Sequence, residues 1–555
     1  MVGGLALHPS RNNPVYLTAG RQGRFGGGAR PPHKILFGRR EGTGMTQPSK
    51  DTPAESDGAA ERSGESGWLS STAISRRRLL AATAIGAAGV AGCAATEPND
   101  STDADGGDGD DGGSDGSDGG DGDDGGSDGS DGSGDGGTGT DAEPVIGRPL
   151  ASWSGYDPEW EAPTTSPLEA EFETEVLVEN LEIPWDLSFA ADGTLFITER
   201  VGRVLRFDGE NVSTVAEPEN AIDAGAIDPA PAERKWWVKG GEGGTLGVAA
   251  HPTFPDPPHI YVYYTTGGDD GKTNRVDAFD VTADDPGTAH HTVVEGIPAD
   301  NYHNGGRITF GPRNYLWVTC GDGGNRQSPQ DLSSYGGKIL RVTPEGEPAP
   351  DNPDLGDDAD PRVFTYGHRN PQGIVWLPDG TPVNSEHGQN GRDELNRLEA
   401  GSNYGWSTEG DTVRDRDAYV GSDVHKPLFN TGPSPSIAPS GSVFYTGDSV
   451  PALRNRIVTG ALISQQLLVT TLTPPGGDRP PAENAYGQTT PDTEWADEAY
   501  SATVHTLFED ELGRIRHAEQ SPDGDLYLCT SNRDGRSSEA FPREIDDVLV
   551  RVTQA

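Results

Sequence analysis

"ADGTLFITERVGRVLRFDG", residues 191–209, reads as an Asp-Gly turn, an apolar strand, a short reversal and a second strand closing on another Asp-Gly. Asp and Gly supply the side-chain-capped, positive-φ geometry of tight reversals, and the runs between them are short and β-rich. The same punctuation returns in "HPTFPDPPHIYVYYTT", "FGPRNYLWVTCGDGG", "LPDGTPVNSEHG", "GSVFYTGDSVPALRNRIVTGAL" and "SPDGDLYLCTSNRDG". Anchored on turn residues at 192, 251, 311, 378, 441 and 522, the spacings are 59, 60, 67, 63 and 81. A repeat of that length holds one four-stranded sheet with insertions. Six of them predict an all-β chain: a six-bladed β-propeller of four-stranded antiparallel blades. A β-sandwich would show shorter, more even strand spacing without the recurring Asp-Gly turns. "TEVLVENL" (174–181) and "DDVLVRVT" (546–553) both read as strands, and one is expected to complete the other's blade.

The chain has 555 residues, 42 basic and 89 acidic, for a net charge of −47. Seven of the basic residues are lysine. The Asp/Gly/Ser-rich stretch at 99–141 carries 15 Asp and no basic residue, yet about −37 still falls on residues 142–555. Such a field repels phosphates, so nucleic acid is excluded as an expected partner. It suits a protein of a halophile, because molar salt screens charges within about 3 Å. The three cysteines, Cys93, Cys320 and Cys529, form no metal-type pattern and cannot scaffold so long a chain. Cys320 and Cys529 are expected as buried thiols rather than a pair.

Four regions follow from composition. Residues 1–74 are expected to be disordered, and 1–44, upstream of Met45, look like an over-extended start. Within 75–95, "SRRRLLAATAIGAAGVAGCAA" has consecutive arginines, Arg76 and Arg77, before an apolar run too short to span a bilayer. Small residues then lead to Cys93, which reads as a twin-arginine lipoprotein signal with Cys93 lipidated. Residues 96–141 have no apolar surface to bury and form a flexible, self-repelling tether. Residues 142–555 are the propeller, expected as a monomer lipid-anchored on the outer face of the cell membrane.

Function in a propeller is expected at the axial mouth, on loops that follow the innermost strands. Seven loops rich in His, Arg, Asp and Gly are the candidates: 241–252, 302–307, 320–325, 366–373, 385–394, 435–441 and 513–524. "YHNGGR" and "CGDGG" flank one strand with His303, Arg307 and Asp322, a base with a carboxylate near it. A histidine in a Gly-rich loop also serves as a plain turn residue, and "GHRNPQG" also reads as a tight turn. "RIR" places Arg514 and Arg516 on one face, where two cations repel unless an anion lies between them.

Taken in order, these loops resemble the soluble quinoprotein glucose dehydrogenase and aldose sugar dehydrogenase family over roughly residues 175–553. "TYGHRNPQGIVWLPDG", "SEHGQNGRDELNRLEAGSNYGW" and "GGKILRVTPEGEPAPDNP" carry the resemblance. It implies a six-bladed propeller that uses pyrroloquinoline quinone (PQQ) and Ca²⁺ to oxidise the anomeric hydroxyl of sugars and hands electrons to a membrane acceptor. By the same resemblance His303 is the general base and Asp322 its orienter. Arg369 and Asn370 stand beside the quinone carbonyls, Arg514 and Arg516 pair with the cofactor's carboxylates, and backbone carbonyls of Gly388 and Gln389 hold Ca²⁺. Glu242 and Ser436 occupy cofactor-binding positions where family members carry glutamine and threonine. A lysine of some members is missing around Ile463 and Gln465, and Tyr302 precedes the base. These departures are closer to the broad-specificity aldose branch. Arg307 has no family role and is expected to hold its loop. Two other readings remain: a Ca²⁺-dependent lactonase-type hydrolase, and a non-catalytic sugar-binding propeller. Specificity is expected in the long loops 408–432 and 471–500.

Overall fold

The repeats fold as six antiparallel sheets in a computed structural model that describes residues 34–35, 144–225, 241–268, 271–407 and 413–555. The signal, Cys93 and the acidic tether lie outside the described residues. From the axis outward, the first blade is Pro184–Phe189, Leu195–Glu199, Arg203–Phe207 and Val212–Ala216. The second is Thr245–Ala250, His259–Gly268, Gly271–Asp280 and His291–Pro298. The third is Ile308–Phe310, Leu316–Thr319, Lys338–Val342 and Val363–Tyr366. Pro371–Trp376, Pro382–Glu386, Glu394–Arg397 and Phe429–Asn430 make the fourth. The fifth is Pro439–Tyr445, Arg456–Ala461, Gln466–Thr473 and Ser501–Leu507, with Gly487–Gln488 added outside.

The sixth blade joins the two ends of the domain. Ile515–Gln520, Leu526–Thr530 and Leu549–Gln554 are completed by Phe172–Val178, which pairs antiparallel with the last strand (Thr174 opposite Val552). Lys34–Ile35 pairs on the outer edge of that sheet. The expected closure between 174–181 and 546–553 is what the register shows, so no blade is left with an open end.

Hydrophobic burial follows the blade stacking. Middle strands such as Leu195–Glu199 and Lys338–Val342 are buried at every position, because neighbouring blades cover both faces. Outer strands such as Val212–Ala216 are largely exposed. Six apolar clusters result, each lying between two neighbouring blades. Phe196, Val248 and Ile260 fill the seam between the first and second, and Leu187, Ile197 and Leu549 that between the sixth and first. Cys320 and Cys529 are buried free thiols, as expected.

Turn chemistry also separates the two ends of the axis. Ala190–Thr194, Gly311–Tyr315, Leu377–Thr381 and Ser521–Asp525 are the same reversal, in which the fourth residue donates its N–H to the first. That fourth residue is Gly193, Asn314, Gly380 or Gly524, at φ of +86, +61, +91 and +87. The expected anchor at Gly441 sits instead inside the strand Pro439–Tyr445, and the corresponding reversal begins at Thr446. All of these reversals follow innermost strands, and they gather at one end. The candidate site loops come from the other end, where chains enter the innermost strands or link second strands to third. The expectation that site loops follow the innermost strands is therefore corrected: after a strand the chain is at the far end, before it at the mouth.

Candidate active site

His303 and Asp322 reach the mouth on two loops that bracket the third blade's first hairpin. The His303 Nδ1–H donates to Asp322 Oδ1 at 2.7 Å, with both side chains nearly buried. That bond leaves Nε2 as the ring's open acceptor. His303 holds φ at +61, a strained setting for a residue with a side chain, and its backbone N–H donates to Glu242 Oε2 at 3.1 Å. Gly321 is required by crowding: a Cβ there would stand 1.9 Å from the His303 carbonyl oxygen. Burial alone would raise the Asp322 carboxyl. His303, Arg369 and the Gly324 N–H overcome this and hold it below the ordinary range. Asp322 is thus ionised beside the imidazole.

Around this pair the structure assembles cations and anions from five blades. Arg369 lies over the Trp406 ring at 5.4 Å and donates to the His387 carbonyl at 3.3 Å. Asn370 Oδ1 accepts the Gly305 N–H at 3.0 Å, tying the Arg369 loop to the His303 loop. Glu242 has the cation its charge demands: Arg536 Nη1 lies 2.7 Å from its carboxylate. Burial works against ionisation, yet Arg536, His303 and His387 bring the Glu242 carboxyl down to about 2.

Arg514 and Arg516 do not wait for a ligand to settle their repulsion. Asp534 lies between them, 2.8 Å from Arg514 Nη2 and 3.7 Å from Arg516 Nη2, and it also meets Arg536 at 3.2 Å. The anion expected between the two arginines is therefore present in the chain itself. Arg516 further donates to Gln372 Oε1 at 3.1 Å. Ser436, expected beside the cofactor, donates to Asp393 at 3.2 Å, and Asp393 also accepts the N–H groups of Gly388, Ile437 and Ala438. Ser436 supports the Gly388 loop instead of joining the charged cluster.

Five guanidinium groups (Arg200, Arg369, Arg514, Arg516, Arg536) against three carboxylates (Glu242, Asp322, Asp534) leave this mouth positive in a chain of net charge −47. Buried Arg200 Nη1, Arg516 Nε and His387 Nε2 have no hydrogen-bond partner among the described residues. Residues so arranged fit a flat, multiply carboxylated group such as PQQ. Calcium has a thinner case. Arg392 Nη1 donates to the Gln389 carbonyl at 2.8 Å, so a divalent ion there would share its oxygen with a fixed cation. Among the described residues no group of three or more His, Cys, Asp or Glu could hold a metal.

Residues 181–541 match the sequence pattern of the family described as Glucose / Sorbosone dehydrogenase. The chain belongs to that family. It is 29% identical over 399 residues to the aldose sugar dehydrogenase YliI of Escherichia coli (strain K12), covering 69% of this chain and 95% of that protein. It is 31% identical over 265 residues to quinoprotein glucose dehydrogenase B of Acinetobacter calcoaceticus, covering 42% of this chain and 52% of that one. Among solved structures, a Thermus thermophilus protein described as a putative oxidoreductase (glucose dehydrogenase) aligns with a TM-score of 0.52 at 35% identity, over 69% of this chain and all of that one. The PQQ-bound aldose sugar dehydrogenase of Streptomyces coelicolor aligns with a TM-score of 0.51 at 29% identity, over 70% and 99%.

Arg307 leaves the site, as expected, but it does more than hold its loop. Its guanidinium pairs with Asp186 on the first blade, donates to the Gln372 carbonyl on the fourth and lies 4.3 Å over Trp185. It pins innermost strands across the axis. Beyond it a cavity of about 330 Å³ opens at the far end, lined by Asp186, Arg307, Phe310, His517 and Glu519 among others. Glu519 shares a hydrogen bond with His517 Nε2 at 3.0 Å, and burial, with Asp186 nearby, pushes its carboxyl up to about 8. A carboxyl raised on folding stabilises fully below its unfolded value, about 4.3, and loses that contribution as pH rises through the folded value. Glu519→Gln is therefore expected to melt above the parent at pH 9 and level with it near pH 4.5. Thermal melts at both values check this, and an equal offset at the two would refute it.

Proposed function

We propose that this chain is a PQQ-dependent dehydrogenase that oxidises aldose sugars at the anomeric carbon to lactones and passes the electrons to an external acceptor. The observation that carries the reading is the His303–Asp322 pair opening onto a positive mouth, within a chain of the Glucose / Sorbosone dehydrogenase family. His303 Nε2 takes the proton of the sugar's anomeric hydroxyl. Asp322 keeps the ring oriented and balances the imidazolium that forms. Arg369 stands where negative charge grows as the C1 hydride departs. Arg514, Arg516, Arg536 and Arg200 would hold the carboxylates of PQQ, which when bound supplies the hydride acceptor. Gly388 and Gln389 remain the proposed place for Ca²⁺, with Arg392 yielding the Gln389 carbonyl. The departures at Glu242 and Ser436, closer to the broad-specificity aldose branch, favour broad aldose use, and Arg536 neutralises Glu242.

The test uses the full chain purified in molar KCl and stripped of metal, with PQQ and Ca²⁺ added separately and together. Dye reduction by a panel of aldoses is expected only with PQQ, and strongest with both additions. Failure of PQQ to bind even at high concentration, with no sugar reducing the dye, would sink the reading. Export by the twin-arginine route and anchoring through Cys93 to the outer face are part of the proposal. Membrane fractionation of the parent against Cys93→Ala checks them.

A further inference from the structure

Asp322 has two oxygens, and only one of them serves His303. Oδ1 accepts from His303 Nδ1 at 2.7 Å and from the Gly324 N–H at 2.8 Å. Oδ2 accepts from Trp406 Nε1 at 2.7 Å, across 84 residues of sequence. Trp406 is 2% exposed, so its indole N–H has no water to fall back on.

The route that brings Trp406 there is an excursion between the third and fourth strands of the fourth blade. That chain leaves Arg397 at the far end and should turn back there. Instead it climbs beside the third blade's outer strand, with Tyr366 donating to Ser402 at 3.2 Å, Tyr404 to Tyr366 at 2.9 Å and Trp406 to Gly367 at 2.8 Å. Gln330 Nε2 donates to the Trp406 carbonyl at 2.7 Å, so both backbone groups of the tryptophan are fastened. Its ring then meets three guanidinium groups: Arg326 at 4.7 Å, Arg369 at 5.4 Å and Arg414 at 5.9 Å.

We propose that Trp406 is a positioning residue for the proton-transfer pair, its indole N–H locking the Asp322 carboxylate so that Oδ1 stays on His303. The inference rests on the dehydrogenase reading above and deepens it. A carboxylate held by one oxygen can rotate about its terminal bond and tilt the imidazole with it. The second donor removes that freedom and keeps the carboxylate ionised. Stacking on Arg369 makes the same ring a ruler between the base and the cation that faces the departing hydride.

Trp406→Phe keeps the ring and its cation contacts and removes the N–H. It is expected to lower kcat about tenfold while the sugar KM and the PQQ Kd each stay within about twofold. On an Asp322→Asn background the same substitution is expected to lower kcat less than about twofold, because the oxygen it acts through is already altered. A merely structural tryptophan would give equal losses on both backgrounds, and that additivity would overturn the inference. A readout apart from turnover accompanies it. In ¹⁵N-tryptophan-labelled protein, the indole N–H resonance lost in Trp406→Phe is expected to shift in Asp322→Asn and to exchange slowly in the parent. An unshifted, fast-exchanging resonance would also overturn it. A parent chain inert with PQQ and every aldose removes the dehydrogenase reading and this inference together, whereas an active parent with additive losses removes this inference alone.

Discussion

Replacing His303 with alanine is expected to lower kcat on the order of 10³-fold while leaving PQQ affinity within a few-fold, since positioned general bases contribute about 10² to 10⁴. The split follows from where the side chain stands. The imidazole bonds to Asp322, and the loop carrying it is fastened by backbone bonds: Gly305 to Asn370, the His303 N–H to Glu242, and Gly323 to the His303 carbonyl. Alanine leaves those in place, so the mouth keeps its shape and its charge. Single-turnover dye reduction with PQQ already bound measures the chemical step apart from cofactor loading. A loss below about tenfold would show that His303 is not the base. Asp322→Asn is expected to follow with a smaller loss, because an amide facing Nδ1 offers the ring the wrong tautomer.

The second large effect is on stability and falls on Arg414. Its guanidinium is fully buried between Glu386 at 2.7 Å and Glu394 at 3.1 Å. Glu386 also takes His368 Nδ1 at 2.8 Å and the Arg369 N–H, and Glu394 takes Tyr419 and Asn430. Burial raises the Glu394 carboxyl, whereas Glu386, nearer Arg414 and His368, is held well below the ordinary carboxylate range. Arg414→Met leaves two buried carboxylates facing each other and is expected to cost about 3–5 kcal/mol. In a domain of this size that is about 5 °C in Tm. Adding Glu394→Gln should restore part of it, because one of the two stranded charges is gone. A Tm change under about 1 °C for Arg414→Met would show that the network is dispensable. Activity should fall as well, since Arg369 is held from this network through its backbone N–H and the Trp406 ring.

The lines of the fold were legible where the signal is local. Asp-Gly reversals at Gly193, Gly380 and Gly524 mark three blades, and the terminal strands announce the sixth. The fifth anchor slipped because Ser442 and Gly441 imitate turn residues inside an innermost strand, where small side chains serve close packing at the axis instead. His303, Asp322 and Arg369 were singled out because their Gly-rich loops carry the family resemblance, and the first two do meet in a hydrogen bond. Asp534 and Arg536 were not, although "SNRDGRSS" was in plain view. A polar stretch after a strand reads as an ordinary exposed turn until something buries it.

The sequence by itself determined the repeat, its six-fold count and the closure of its ends, and the resemblance it carries singled out the pair His303 and Asp322. Turn geometry and apolar runs are properties of a few adjacent residues, and the two loops of that pair lie only 19 apart. Only the tertiary structure decided which charges meet. Arg536 reaches Glu242 across 294 residues and Trp406 reaches Asp322 across 84, because closing a ring of blades brings every mouth loop to one axis. Spacing along the chain carries no record of which of those loops become neighbours. At that mouth the low dielectric makes each pairing matter enough to set which side chain is ionised and which way it points.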